Sequence, residues 1–437
     1  MFDHSIKKLS NGLRIITIPM PGVQSVTTLA LVNTGSRYEK PKEEGIAHFF
    51  EHLVFKGTAN YPDAKVLAAA IDAIGADFNA FTSKEYTGYY VKSAAKHVEL
   101  ALDVVSDMLL QPQLRQEDID RERGVIVEEI NMYHDNPMSF VGQLFDRMFF
   151  RGSGLSHDII GSKKTVESLN RADFTSFLRH WYGLGNTVLV IAGNAETVQA
   201  TATLELAQAK FAKEPDGVRP RDKVSIKRWV SSSNPISPHT LTVEERRTEQ
   251  AHLVLGWPGI HRRDKDRYAL TLLNVIMGGN MSSRLFTEVR EKRGLCYYVR
   301  SDNDHYHDTG IFGASAGVDP GRIEEALKVI KAEFAALVGG EKPVTAAELA
   351  AAKEYIVGSM TLGFEDSRSV AQYFGLRQVL NDKIETPQEV LEKIRAVELE
   401  AVQKIARRLI KEREMRLAVI GPFSQEDQEK VFKKFVE

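Results

Sequence analysis

His48-Phe49-Phe50-Glu51-His52 is the stretch on which the reading of this chain turns. Apolar residues recur with helical spacing from about Glu43 to Phe55, and Gly57 stands where a helix C′ glycine belongs. Positions i and i+4 share a helix face, so the imidazoles of His48 and His52 can reach one metal ion. Glu51 projects beside them, close enough to meet a water on that ion. The pattern H-x-x-E-H is the inverse of the more familiar H-E-x-x-H zinc arrangement. Chance alone produces it in roughly two or three chains in a hundred, so it carries weight only with a third ligand.

A catalytic zinc takes three protein ligands and keeps a fourth position for water. The run Asp120-Arg121-Glu122-Arg123-Gly124-Val125-Ile126-Val127-Glu128-Glu129-Ile130 offers several carboxylates. Glu122 and Glu129 are seven residues apart, two turns along one helical face, with Val125 and Ile126 between them. Glu128 competes with Glu129 on sequence alone. A charge-rich helix of this kind is as often a solvated surface as a source of ligands.

On the N-terminal side of the motif, Leu13–Pro19 reads as a strand and Val26–Val32 as its neighbour, with Pro21-Gly22 in the turn between. On the C-terminal side, a helix spans about Ala64–Ile74, strands occupy Asp77–Val91, and helices return from about Ala95 to Leu110. The segment Lys213–Pro238 holds four prolines, Gly217 and the run Ser231-Ser232-Ser233-Asn234-Pro235, and reads as an interdomain linker between residues 1–212 and 239–437.

The second half repeats the first. Thr187–Gly193 matches Met415–Gly421 at an offset of 228, and Phe174 and Phe177 fall on Val402 and Ile405 in the same register. Thr28–Leu31 matches His252–Leu255 at an offset of 224. At that offset His48, Glu51 and His52 fall on Leu272, Val275 and Ile276. At a local offset of 230, Glu122 and Glu129 fall on Ala352 and Ser359. No metal-related position is ligating in the second half, so one zinc per chain is expected. The polar set of the first half is then not a requirement of the fold.

Among the 437 residues, 43% are apolar and 27% charged, which is ordinary for globular proteins. The net charge of −2 gives no electrostatic footprint for nucleic acid or an anionic membrane. Cys296 is the only cysteine, which rules out an intrachain disulfide and a cysteine-only metal site and fits a reducing compartment. Neither a signal or transit peptide nor an apolar run of 18 residues is evident. A cytoplasmic protein without membrane or nucleic-acid partners is expected.

Four features together resemble the M16 metallopeptidases, the family of pitrilysin, insulin-degrading enzyme and the mitochondrial processing peptidases. They are the 48–52 motif followed by Leu53-Val54-Phe55-Lys56-Gly57-Thr58; Asn79-Ala80-Phe81-Thr82-Ser83 with Tyr89-Tyr90 behind it; Arg121-Glu122 with a glutamate seven residues later; and Arg290-Glu291-Lys292-Arg293-Gly294-Leu295-Cys296-Tyr297. The resemblance runs over nearly the whole chain. It implies an α+β fold of two homologous α/β halves, each a sheet flanked by helices, of the type shared by LuxS and the processing peptidases.

It further implies zinc on His48, His52 and Glu129, Glu51 as general base, and Glu122 orienting a ligand histidine. Arg290 and Tyr297 correspond to an Arg/Tyr pair that contacts substrate carbonyls. Asn79, Ala80, Phe81 and Thr82 form a strand on which an extended peptide can pair. Chains of this length resemble those that supply one bowl of a clam-shell dimer around an enclosed chamber. A homodimer is expected, because the zinc motif and the Arg/Tyr pair share one chain; a heterodimer with a related subunit is the other arrangement. The rival functions are a non-catalytic peptide-binding or partner-dependent subunit, and a zinc hydrolase acting on a non-peptide amide or ester.

Overall fold

A computed structural model describes residues 2–215 and 236–436, so most of the expected 213–238 linker lies outside the described residues. The chain forms two compact units, each drawing on both halves of the sequence. Unit 1 gathers residues 2–130, 157–215 and 359–389; unit 2 gathers 131–156, 236–358 and 390–436.

Unit 1 is built on a six-stranded sheet of β1 (Ser5–Lys8), β2 (Arg14–Met20), β3 (Ser25–Val32), β4 (Asp77–Thr82), β5 (Thr87–Ala94) and β6 (Thr187–Asn194), in the order β1-β2-β6-β3-β5-β4. Only β2 and β6 run parallel. Both faces are covered, which is why β3 and β6 are almost continuously buried rather than alternating between buried and exposed. One face packs against the helix Val98–Leu110. On the other, Ile16, Ile18, Leu29, Leu31, Val188 and Val190 meet Val370, Phe374 and Val379 of the helix Ser367–Asn381.

Unit 2 repeats the plan with β7 (Leu241–Glu245), β8 (Ala251–Pro258), β9 (Cys296–His305), β10 (Gly310–Val318) and β11 (Arg416–Gly421), in the order β7-β11-β8-β10-β9 and with only β7 and β11 parallel. One face carries the helix Pro137–Phe149, whose Val141 and Phe145 join Ile311, Ala418 and Ile420. On Ile323–Gly339, Phe334 lies 4.8 Å from the ring of Trp257 and 5.7 Å from Phe312. The helices Pro137–Phe149 and Ser367–Asn381 begin 230 residues apart and occupy matching places. Each belongs to the unit whose sheet comes from the opposite half of the sequence.

The ladders correct the repeat register by one residue. Thr28 faces Ile191, and Leu253 faces Val419. With Ile191 matched to Val419 at the offset of 228, Thr28 corresponds to Leu253 rather than to His252. A one-residue slip turns every side chain to the opposite face of a sheet, so the distinction is physical. The conclusion for the metal positions survives it. Leu272 and Leu273, Val275 and Ile276, and Met277 are all apolar and buried.

The motif helix is shorter than its periodicity implies, running Ile46–Leu53. It starts late because Gly45, at φ +91°, turns the chain into it. A Cβ there would lie 2.6 Å from the Ile160 carbonyl oxygen, so glycine is required on both counts. The helix stops before Gly57, which is therefore not its C′ residue. Gly57 is needed for space instead, a Cβ there meeting the Pro62 carbonyl oxygen at 2.8 Å.

Candidate metal centre

The motif helix divides its side chains by face. Phe49, Phe50 and Leu53 are buried, with Phe49 against Phe174 (centroids 4.9 Å apart) and Phe50 against Tyr182 (4.7 Å). Aromatic burial of this kind is worth about 3–5 kcal/mol per ring when truncated to alanine. That anchoring fixes the rotation of the helix and aims His48 and His52 together, their rings 4.7 Å apart.

The helix Gln116–Asp135 supplies the carboxylates. Glu122, Ile126 and Glu129 share its inner face, while Glu128 is exposed. Val125, read as lying on that face, is instead half-exposed because it sits one residue round the turn. His48 Nε2 lies 3.7 Å from one Glu129 oxygen, and His52 Nε2 lies 3.5 Å from the other. These separations are too long for hydrogen bonds. They match a tetrahedral zinc, where ligands at 2.0–2.1 Å stand about 3.3–3.4 Å apart. Ligand atoms of His48, His52 and Glu129 all fall within 4.8 Å of one another, and among the described residues no other His/Cys/Asp/Glu group does so. The donor set therefore fits a zinc ion.

Burial, helped by the neighbouring His52, pushes the His48 imidazolium down to about 3, so His48 is neutral at pH 7 with a lone pair to offer. His52 Nδ1 meets Glu122 at 2.8 Å, leaving Nε2 for the metal. Lys56 Nζ holds the other Glu122 oxygen at 2.7 Å. Burial works against the Glu122 carboxylate, but these two partners outweigh it and keep it below the usual carboxylate range. Burial raises the Glu51 carboxyl, with Glu129 adding to the effect and the Thr82 hydroxyl and His52 pulling the other way. Thr82 Oγ1 donates to Glu51 Oε2 at 2.5 Å.

Asn79, Ala80, Phe81 and Thr82 lie on β4, an edge strand paired, among the described residues, with β5 alone. The Ala80 N–H donates to the Asn79 side-chain oxygen at 2.9 Å. Arg290 and Tyr297 belong to unit 2 and sit together, the guanidinium 5.5 Å from the Tyr297 ring and 4.8 Å from Phe286. Tyr297 is 74% exposed, which argues against a core role for it. Arg290 lies on a π-helical turn, Phe286–Glu291.

Sequence reasoning missed Lys56, the side-chain role of Thr82, and above all Glu39. The Glu39 carboxylate accepts the Gly45 N–H at 2.8 Å and the Ala47 N–H at 2.9 Å, capping the motif helix from outside it. A cap seven residues before the first residue of its helix leaves no local sequence signal.

Fold and donor set together define a duplicated α+β protein with, among the described residues, one His-His-Glu group in unit 1 that could hold a metal ion. Comparison with known proteins agrees. The family model described as insulinase (peptidase family M16) matches residues 14–163, and that of the peptidase M16 inactive domain matches residues 168–356. The chain is 36% identical over 416 residues to an uncharacterized zinc protease of Streptomyces coelicolor, covering 95% of this chain and 88% of that one. It is 34% identical over 422 residues to another from Bacillus subtilis, covering 94% and 97%. A protease from Helicobacter pylori shares the fold, with a TM-score of 0.86 at 22% identity over 97% of this chain and all of that one. The chain belongs to the M16 peptidase family.

Proposed function

We propose that the protein is a cytoplasmic zinc-dependent endopeptidase that hydrolyses short or unfolded peptides, with one zinc per chain on His48, His52 and Glu129. The observation that carries this reading is the convergence of those three donors, with Glu51 near enough to His52 and Glu129 to feel their charge. The names of the relatives, zinc proteases, support it. Zinc when bound supplies Lewis-acid polarisation of water and carbonyl. Glu51 accepts a proton as the water oxygen bonds to the scissile carbonyl carbon. It returns that proton to the leaving nitrogen as the C–N bond breaks. Glu122, itself gripped by Lys56, holds His52 in the tautomer that leaves Nε2 free.

The outer edge of β4, unpaired among the described residues, takes the substrate as an added strand, which binds through main chain and so accepts varied side chains. Arg290 and Tyr297, by the family resemblance, donate to substrate carbonyls near the cleaved bond. The working assembly is a homodimer that encloses a chamber.

The test is cleavage of an internally quenched peptide library by the purified chain, with metal measured on the same sample. Activity at about one zinc per chain, lost on chelation and in Glu51→Gln with zinc retained, is the expected result. Bound zinc without turnover would favour a partner-dependent subunit. Loss of zinc in Glu51→Gln would make Glu51 a ligand.

A further inference from the structure

We infer that Thr82 is a positioning residue for the general base, so that the strand offered to the substrate also orients Glu51. This rests on the peptidase reading above. On β4 the side chains alternate, and those of Phe78, Ala80 and Thr82 share one face. That face looks toward the motif helix and the turn just after it: Thr82 Oγ1 donates to Glu51 Oε2 on the helix, and Phe78 meets Phe55 beyond its end with ring centroids 5.7 Å apart. A glutamate on an eight-residue helix has three side-chain torsions to settle. A hydroxyl bond to one carboxylate oxygen settles the last of them and leaves the other oxygen to take up the proton.

The hydroxyl is itself held in place. Thr82 ends β4 opposite Thr87, and the turn that follows is closed by Ser83 N–H on the Tyr86 carbonyl at 2.8 Å. That turn is bolted to the 35–39 loop. Ser36 N–H donates to the Ser83 carbonyl (3.2 Å), Arg37 N–H to the Lys84 carbonyl (3.0 Å), and the Arg37 guanidinium pairs with Glu85 at 2.5 Å with both side chains buried. The same loop carries Glu39, which caps the motif helix. A closed circuit thus runs from the helix through Glu39, the loop and the turn to Thr82, and back to Glu51. Pairing of a peptide along the β4 edge is transmitted through one residue of strand to the base.

Thr82→Val keeps the shape and removes the hydroxyl; Thr82→Ser keeps the hydroxyl and removes the methyl. With an internally quenched peptide as substrate, Thr82→Val is expected to lower kcat about tenfold to a hundredfold, the usual range for losing a hydrogen bond to a charged group at a reacting centre. KM should stay within about twofold, because main-chain pairing does not use the hydroxyl. Zinc content and thermal midpoint should match wild type, and Thr82→Ser should recover most of kcat. Wild-type kcat in Thr82→Val would overturn the role. So would equal loss in Thr82→Ser, which would make the position structural, or a rise in KM at constant kcat, which would make it a substrate contact. A wild-type chain that binds zinc and cleaves no peptide would overturn the functional reading, and this role with it.

Discussion

Glu39→Gln tests how the motif helix is held. Glu39 is 5% exposed and accepts two backbone N–H groups at the helix start. Burial pushes its carboxyl up to about 8, the two N–H bonds opposing and Glu44 and Glu43 adding to the rise. The folded value lies above the unfolded one of about 4.3–4.5, so between these the native state binds a proton that the unfolded chain has lost. Stability from this group is full below pH 4.5 and is lost as pH rises through about 8. At about 1.4 kcal/mol per pKa unit, the loss between pH 6 and 8 is about 2 kcal/mol, the last part tapering as the native group itself ionises. For a cooperative unit of roughly 150–250 residues that is about 4–8 °C in Tm. Glutamine has nearly the same shape and does not titrate. Denaturant unfolding of wild type and Glu39→Gln at pH 6, 7 and 8 isolates the term, since all other titrations cancel in the difference. The wild-type advantage should shrink by about 2 kcal/mol across that range. A constant difference would refute the argument, because it would mean that the helix N-terminus keeps Glu39 ionised in the fold as it is in the unfolded chain over this range.

Two further substitutions separate the roles assigned to individual residues. Glu129→Gln should lower zinc occupancy, measured by metal analysis after dialysis, whereas exposed Glu128→Gln should not; the reverse result would exchange the two. Tyr297→Phe should reduce kcat on a quenched peptide with zinc content unchanged, and full turnover in that variant would remove its hydroxyl from the mechanism.

Much of this centre was legible because its logic is local. His48 and His52 share a helix face by their spacing alone, and Glu122 and Glu129 do the same two turns apart. The strand Asp77–Thr82 and its neighbour are bounded by turn residues and fall where the alternation puts them. What stayed hidden is non-local. The apolar face of Pro137–Phe149 announces burial but not destination, and it is buried on a sheet from the other half of the sequence. The start of the motif helix is set by a left-handed glycine and a distant carboxylate rather than by periodicity. The repeat was visible to within one residue, an error that hydrophobic strings covered on both faces do not penalise and that only the ladder register exposes.

The duplication also explains why these polar groups are present at all. The helices Gln116–Asp135 and Ala346–Gly363 start 230 residues apart, and at that offset Glu122 corresponds to Ala352. The two residues are buried alike, each at 3% exposure. Burying a carboxylate costs several kcal/mol before its partners compensate, whereas burying alanine costs nothing of the kind. The second copy shows that the architecture accepts the cheaper residue at this place. The first copy keeps the glutamate, and it keeps the two groups that hold it, His52 and Lys56. A buried ion that the fold does not need is retained for what it does to its neighbour, and the neighbour here is a histidine whose remaining nitrogen points at Glu129.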